Sequence, residues 1–310
     1  MIELTDSEFA ELFESVGPTK TAQHIGITMR RVYNRRREVE SRLGRSLTAP
    51  DRAGIIVDHP GRIDTQVYDG TVLIGSDAHF MPGNITTAFR AFVRACKELQ
   101  PKVVVMNGDI LDAGTISRHP PIGWQHKPSL IQEVEECKDR MGDITVAAEK
   151  AERYWPLGNH DARFSTRLAT VAPEYANIHG VSLSDHFADW EPCWMVVIND
   201  SVVVKHRFKG GIHATHNNTL WAGKTLITGH LHSLKVTPFT DYSGTRFGVD
   251  CGTLSESYSD AFADYTELSP VNWRAGFIVL TFVKGRLLWP EVCHVISDDE
   301  VEFRGKLWRV

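Results

Sequence analysis

Five short motifs in this chain end on side chains of the kinds that hold metal ions. In order they are Asp77-Ala78-His79, Gly108-Asp109-Ile110-Leu111-Asp112, Gly158-Asn159-His160-Asp161, His206 after Val202-Val203-Val204-Lys205, and Gly229-His230-Leu231-His232. They supply two aspartates (Asp77, Asp109), one amide (Asn159) and four imidazoles (His79, His206, His230, His232). That set suffices for two divalent ions about 3.5–4 Å apart, the spacing of two-metal phosphoester chemistry.

Side chains so far apart in sequence need strands to bring them together. Most of the motifs follow β-branched or aliphatic runs, which puts the polar groups at the C-terminal ends of strands, where open α/β sheets build their sites. Strands are expected at Val72–Ile74, Val103–Met106, Tyr154–Leu157 and Leu226–Thr228. Trp194–Ile198 and Val202–Lys205 read as a pair around Asn199-Asp200-Ser201, and Gly276–Phe282 with Arg286–Trp289 as a terminal hairpin around Lys284-Gly285. Ile63–Tyr68 and Thr71–Ile74 read as a hairpin turning at Asp69-Gly70. Helical periodicity covers Ile85–Gln100, with Phe89, Phe92, Val93 and Cys96 inward, and most of Ser129–Tyr154. Early βα alternation followed by β pairs implies a mixed α/β fold.

Composition sets the outer limits. The chain of 310 residues is 42% hydrophobic and 24% charged, ordinary for a globular protein. No apolar run approaches the ~20 residues that span a bilayer. The acidic start Met1-Ile2-Glu3-Leu4-Thr5-Asp6 is unlike a signal peptide, so a cytoplasmic location is expected. Cys96, Cys137, Cys193, Cys251 and Cys293 are scattered and form no C-x-x-C, so they read as reduced core residues.

Charge divides the chain. Pro18 to Arg45 holds eight basic and two acidic residues, a net of +6; the rest, with 26 basic and 37 acidic, is −11, and the two sum to −5. This first segment reads as helical. Phe9, Leu12, Phe13 and Val16 have helical spacing, Gly17-Pro18 breaks the helix, and Ala22, Gly26 and Val32 resemble the helix-turn-helix pattern. Thr28 would cap the second helix, placing Arg30, Arg31, Tyr33 and Asn34 where base edges are read and Arg35, Arg36 and Arg37 against phosphates. The alternative is a small helical cap or dimerisation arm with a solvated basic face. The expected layout is a helical domain at 1–46, a linker at 47–60, the main domain at 61–295 and an extension at 296–310.

The order D-x-H, G-D-x-x-D, G-N-H-[DE], a lone His and G-H-x-H resembles the calcineurin-like metallophosphoesterase superfamily, over roughly residues 71 to 290. The resemblance implies two facing mixed β-sheets flanked by helices, an αββα sandwich, here with a small all-helical N-terminal domain. It implies that Asp77, His79, Asp109 and His232 hold one metal and Asp109, Asn159, His206 and His230 the other, with Asp109 bridging. A hydroxide bridging the two ions would be the nucleophile. His160 would protonate the leaving group or stabilise charge on phosphorus, and Asp112 would orient it. Asp161 reads as structural. Carboxylate, amide and imidazole ligands suit Mn²⁺ best, with Fe or Zn²⁺ as alternatives.

Some assignments stay open. His213 and His216 compete with His206 for the last ligand position. His119 and His126, near Trp124, read as loop residues, Gly252-Thr253-Leu254-Ser255 as a structural turn, and Arg163 as either a phosphate contact or an ion-pair partner. Protein Ser/Thr phosphatases of the superfamily carry Arg after the second Asp of G-D-x-x-D and G-N-H-E. Here Ala113 follows Asp112, and Asp161 replaces the Glu. The expected activity is therefore metal-dependent phosphoester hydrolysis on nucleic acid, a nuclease positioned by DNA binding. The alternatives are a small-molecule phosphatase or cyclic-nucleotide phosphodiesterase, and a DNA-binding regulator with an inactive domain. No membrane association is expected, and a dimer is compatible with the sequence. A nuclease groove needs local cations, and the sequence leaves open whether Arg118, Lys127, Arg163, Arg167, Lys205, Arg207 and Lys209 converge.

Overall fold

The computed structural model describes residues 4–45, 47, 49, 61–118, 127–175, 178–256 and 269–310. His119, Trp124 and His126 lie outside these residues. The chain divides into two compact units, Met1–His59 and Pro60–Val310.

The first unit is helical. Helix α1 (Asp6–Ile25) opens with a capping box, in which Thr5 Oγ1 accepts from the Glu8 amide and Glu8 accepts from the Thr5 amide. It is interrupted at Gly17 (φ 76°), and Pro18 restarts it. Gly26, at φ 70°, ends it, and Thr28 caps α2 (Met29–Leu43) by accepting from the Arg31 amide. Phe9, Phe13, Ala22, Ile25, Val32 and Val39 form its own core.

The second unit is built on two mixed sheets. One has the order β1 (Arg62–Thr65), β6 (Met195–Ile198), β7 (Val202–Val204), β8 (Thr225–Thr228), β10 (Gly244–Asp250), β9 (Lys235–Asp241). The other runs β15 (Lys306–Arg309), β14 (Glu300–Phe303), β13 (Glu291–Val295), β11 (Gly276–Val283), β2 (Gly70–Gly75), β3 (Val103–Met106), β4 (Glu152–Pro156), β5 (Glu191–Cys193), with β12 (Arg286–Leu287) on β11. Strands β2 to β5 are parallel, and β11 joins β2 antiparallel.

Side-chain alternation builds the layers. Val72 and Ile74 of β2 and Val103 and Val105 of β3 point into the core shared with β6, β7 and β8 of the other sheet. Leu73, Val104 and Met106 point the opposite way, into a core with α3 (Thr87–Leu99) and α4 (Leu130–Ala147). Strands buried on both faces read as continuous apolar runs, as these do. On α3, Phe89, Phe92 and Cys96 fall on one face, and Thr86 caps it by accepting from the Phe89 amide. Removing the buried Phe92 ring would cost about 3–5 kcal/mol. The short helices α5 (Asp161–Val171) and α6 (Leu183–His186) follow β4, and α7 (Ala214–Ala222) lies against β8, β9 and β10.

Two expectations are corrected. Ile63–Tyr68 does not form a hairpin with Thr71–Ile74; β1 pairs parallel with β6 in the other sheet, because residues 66–69 carry the chain from one sheet to the next. Residues 296–310 are no extension: β14 and β15 pair in turn beyond β13, burying Val301 and Phe303. The five cysteines are buried and unpaired. Among the described residues no helix is long and apolar enough to cross a membrane.

Candidate metal centre

Every loop that carries a candidate ligand leaves the C-terminal end of a strand. Asp77 and His79 follow β2, Asp109 follows β3, Asn159 and His160 follow β4, His206 follows β7, and His230 and His232 follow β8. Asp77, His79, Asp109, His230 and His232 have φ of 52°, 41°, 52°, 72° and 53°, the left-handed region that these residue types occupy only at a cost. Such strain collects at functional sites, held by the surrounding structure.

The motif glycines have a steric reason. A Cβ on Gly158 would overlap Asp109, one on Gly108 would overlap the His206 ring, and one on Gly229 would overlap Ser76 and Asp77. The backbone therefore closes onto the ligands from three sides.

The side chains converge in three groups: Asp77, His79 and His232 form one, Asp109, His206 and His230 a second, and His79, Asp112 and His160 a third that shares His79 with the first, the ligand atoms of each lying within 4.8 Å of one another. Asp77 Oδ1 lies 3.0 Å from His232 Nε2 and 3.9 Å from His206 Nε2, so it faces the first two groups. Asp109 Oδ2 lies 3.1 Å from His206 Nε2. The structure brings His206 into the cluster, whereas His213 is exposed at the start of α7 and the His216 ring stands against Phe239.

The residues fit divalent cations. Asn159 Oδ1 is buried with no hydrogen-bond partner, an acceptor in need of a cation or donor. His206 Nδ1 meets the Asn107 carbonyl at 2.6 Å, so it donates there and turns Nε2 toward the cluster. Burial lowers the His206 imidazole, yet Asp77 and Asp109 outweigh it and hold the group at about 9. The two aspartates are kept below the ordinary carboxylate range: burial acts to raise both, but the surrounding imidazoles dominate. A cation bound here would take the place of the proton that these two carboxylates hold on His206.

His160 stands beside the second group, its Nε2 3.9 Å from Asp109 Oδ2. Its Nδ1 meets the Asp112 carboxylate at 2.8 Å and the Asp112 carbonyl at 3.1 Å. Burial lowers this imidazole, but Asp112 and Asp109 leave it raised overall. Asp112 also faces His79 Nδ1 at 3.6 Å. Arg163 donates to the Asp112 carbonyl at 2.8 Å, and its second nitrogen lies 3.4 Å from His160 Nε2. Lys127 passes over Gly114 beside Asp112, and Arg207 is close enough to His230 to lower that imidazole, after burial and His206.

Asp161 is an architectural carboxylate. It accepts from the amides of Asp109, Ile110, Leu111 and Gly158 and from the Trp155 indole, at 2.8 to 3.1 Å. It thus ties the Asp109 loop to the Asn159 loop. Four supports escaped the sequence reading: Ser76, bonded to Asp77 at 2.5 Å; Asn107, the partner of His206; Thr253, whose hydroxyl donates to the Asp77 carbonyl; and Asp250. Asp250 accepts from the Ser233 and Gly252 amides, and burial with the Asp77 charge pushes its carboxyl up to about 6. Position was the only signal for Ser76 and Asn107, which directly follow β2 and β3, and for Asp250, which ends β10; Thr253 lies in the turn that reads from sequence as structural.

No protein-family model matches the sequence, and no curated protein matches it. Among solved structures the chain is similar to Vps29 from Entamoeba histolytica complexed with zinc, at 15% identity, TM-score 0.40, over 77% of this chain and 98% of that one. It is similar to an archaeal phosphodiesterase at 14% identity and TM-score 0.39, over 72% and 99%. It is also similar to a protein serine/threonine phosphatase from Saccharomyces cerevisiae at 12% identity and TM-score 0.38, over 76% and 84%. Identities of 12–15% and TM-scores of 0.38–0.40 carry no activity across.

Proposed function

We propose that the chain is a dinuclear metal-dependent phosphoesterase of the calcineurin-like kind, acting on nucleic acid. The observation that carries this reading is the juxtaposition of two ligand groups, with Asp77 facing both, beside His160, whose Nδ1 is held by Asp112 and whose Nε2 stands 3.9 Å from Asp109. Asp77, His79 and His232 would hold one cation and Asn159, His206 and His230 the other, with Asp109 reaching between them. Mn²⁺ suits this mixed donor set best. Bound there, the cations supply Lewis acidity toward phosphoryl oxygens and acidify a water.

The chain's own groups do the rest. Asp112 fixes the His160 tautomer with the proton on Nδ1, leaving Nε2 to face the substrate. When protonated there, His160 gives its Nε2 proton to the leaving oxygen. Arg163, beside that nitrogen, supplies the guanidinium missing after Asp112 and suits a phosphate oxygen. Asp161 holds the two loops in register.

The nucleic-acid part rests on the first unit. Arg30, Arg31, Tyr33, Asn34 and Arg37 are exposed on α2 and suit a DNA surface. Arg35 and Arg36 are engaged within the unit: Arg35 donates to the Leu4 carbonyl and covers Phe9, and Arg36 pairs with Glu40 over Phe13. We assign these two a packing role in place of the phosphate contacts expected from sequence.

The test is Mn²⁺-dependent hydrolysis of bis-p-nitrophenyl phosphate and of labelled single- and double-stranded DNA, with His160→Ala as control. Cleavage of both, abolished in the variant, is the expected result. Cleavage of the small diester alone would point to a small-molecule phosphodiesterase, and turnover of neither would overturn the reading.

A further inference from the structure

We propose that the segment from Lys205 to Trp221 forms a track along which a single nucleic-acid strand leaves the metal centre; this rests on the phosphoesterase reading above. In a chain of net charge −5, the stretch from Ser201 to Thr240 contains Lys205, Arg207, Lys209, Lys224 and Lys235 and not one aspartate or glutamate. A cationic stretch of this kind suits a polyanion.

Apolar side chains stand exposed among those cations. Ile212 is 76% and Trp221 70% exposed, and Phe208 is 43% exposed. Single exposed apolar residues are ordinary, but a group of them interleaved with cations marks a binding surface. Lys205 Nζ lies 5.5 Å from the centre of the Phe208 ring and Lys209 Nζ 3.1 Å from that of Trp221. Each aromatic ring is thus paired with a positive charge, which is the combination that takes base and phosphate together.

The surface is preformed. The Asn218 side chain donates to the Lys209 carbonyl and accepts from the Lys209 amide, and Lys235 Nζ donates to the Ile212 carbonyl. It also starts at the site: Lys205 and Arg207 flank His206. From Ala214 to Trp221 helix α7 rises about 10 Å, at 1.5 Å per residue, the length of roughly three bases at a 3.4 Å repeat. A single strand fits better than a duplex, because ring faces stack only on unpaired bases. A second copy of the chain fits poorly, because a symmetric contact would face these cations with each other.

The test is fluorescence anisotropy of the full chain in EDTA with labelled oligo(dT), oligo(U) and a mixed-sequence duplex. Trp221→Ala and Phe208→Ala each weaken single-strand binding about five- to hundred-fold and leave duplex affinity within about twofold. Tyr68→Ala, an exposed aromatic before β2 at the opposite end of the sheets, leaves all three unchanged. Losses on oligo(dT) alone would specify DNA, and losses on both strands either backbone; each supports the track. Equal single-strand affinity in wild type and both variants overturns it, as does a dimer in sedimentation that Trp221→Ala dissociates without changing strand affinity. Turnover of the small diester without strand binding would sink the track alone, whereas absence of that turnover would sink the phosphoesterase reading.

Discussion

The helical first unit and the ligand loops of the second treat the left-handed backbone region in opposite ways. In the first unit every positive φ among the described residues belongs to glycine: Gly17, Gly26 and Gly44. In the ligand loops Gly108 shares it with Asp77, His79, Asp109, His230 and His232, residues kept for their side chains. Local preference and final structure agree in the first unit; in the loops the ligand set overrides local preference, and supports such as Asp161, Ser76 and Thr253 hold the result. The difference teaches that the loops are shaped by chemistry and the helices by packing, and it can be probed from both sides.

The largest effect is on turnover. His160→Ala should lower kcat for the small diester about 10²- to 10⁴-fold while leaving metal content unchanged by elemental analysis. Asp112→Asn, which keeps shape and loses charge, should cost about 10- to 100-fold. Equal metal loss in His160→Ala would make it a ligand and break the distinction drawn here.

Next come the glycines. Gly158→Ala, whose Cβ overlaps Asp109, should destabilise by about 1–3 kcal/mol and also weaken metal uptake, read by thermal unfolding and metal titration. Gly26→Ala, at φ 70° with open space around it, should cost about 1–2 kcal/mol and leave metal uptake untouched.

A third test uses pH. Glu133, buried beneath Asp112, accepts from the Ala113 amide at 2.6 Å, and burial followed by the Asp112 charge raises its carboxyl to about 7. Its folded pKa exceeds its unfolded value of about 4.5, so the folded state keeps the proton longer. Stability should therefore fall as pH rises from about 4.5 to about 7, with the penalty complete above that. Glu133→Gln should remove this slope and stabilise at pH 8 by on the order of 2 kcal/mol. The smallest effect is Thr28→Ala, about 1 kcal/mol from loss of the α2 cap.

The convergence of Asp77, His79, Asp109, His206, His230 and His232 was legible because they sit in short local motifs, and strands β2, β3, β7 and β8 announced themselves as aliphatic runs. The partner of β1 was not legible, since pairing with β6 is a long-range choice that a turn signal at Asp69-Gly70 does not reveal. Nor were Arg35 and Arg36, whose charges advertised phosphate while their guanidinium groups stand over the Phe9 and Phe13 rings. Arg163 was read as an open alternative because only the fold shows which way α5 leaves His160. The carboxylate-free run from Ser201 to Thr240 was visible all along, but its meaning depended on His206 lying at its start.

Electron paramagnetic resonance of the Mn²⁺-titrated protein tests directly whether the chain holds a pair of cations joined through Asp109. The predicted result is uptake of two equivalents with an exchange-coupled spectrum at saturation, reverting to isolated ions in Asp109→Asn. Saturation at one equivalent, or an uncoupled six-line spectrum in the wild-type chain, would contradict it.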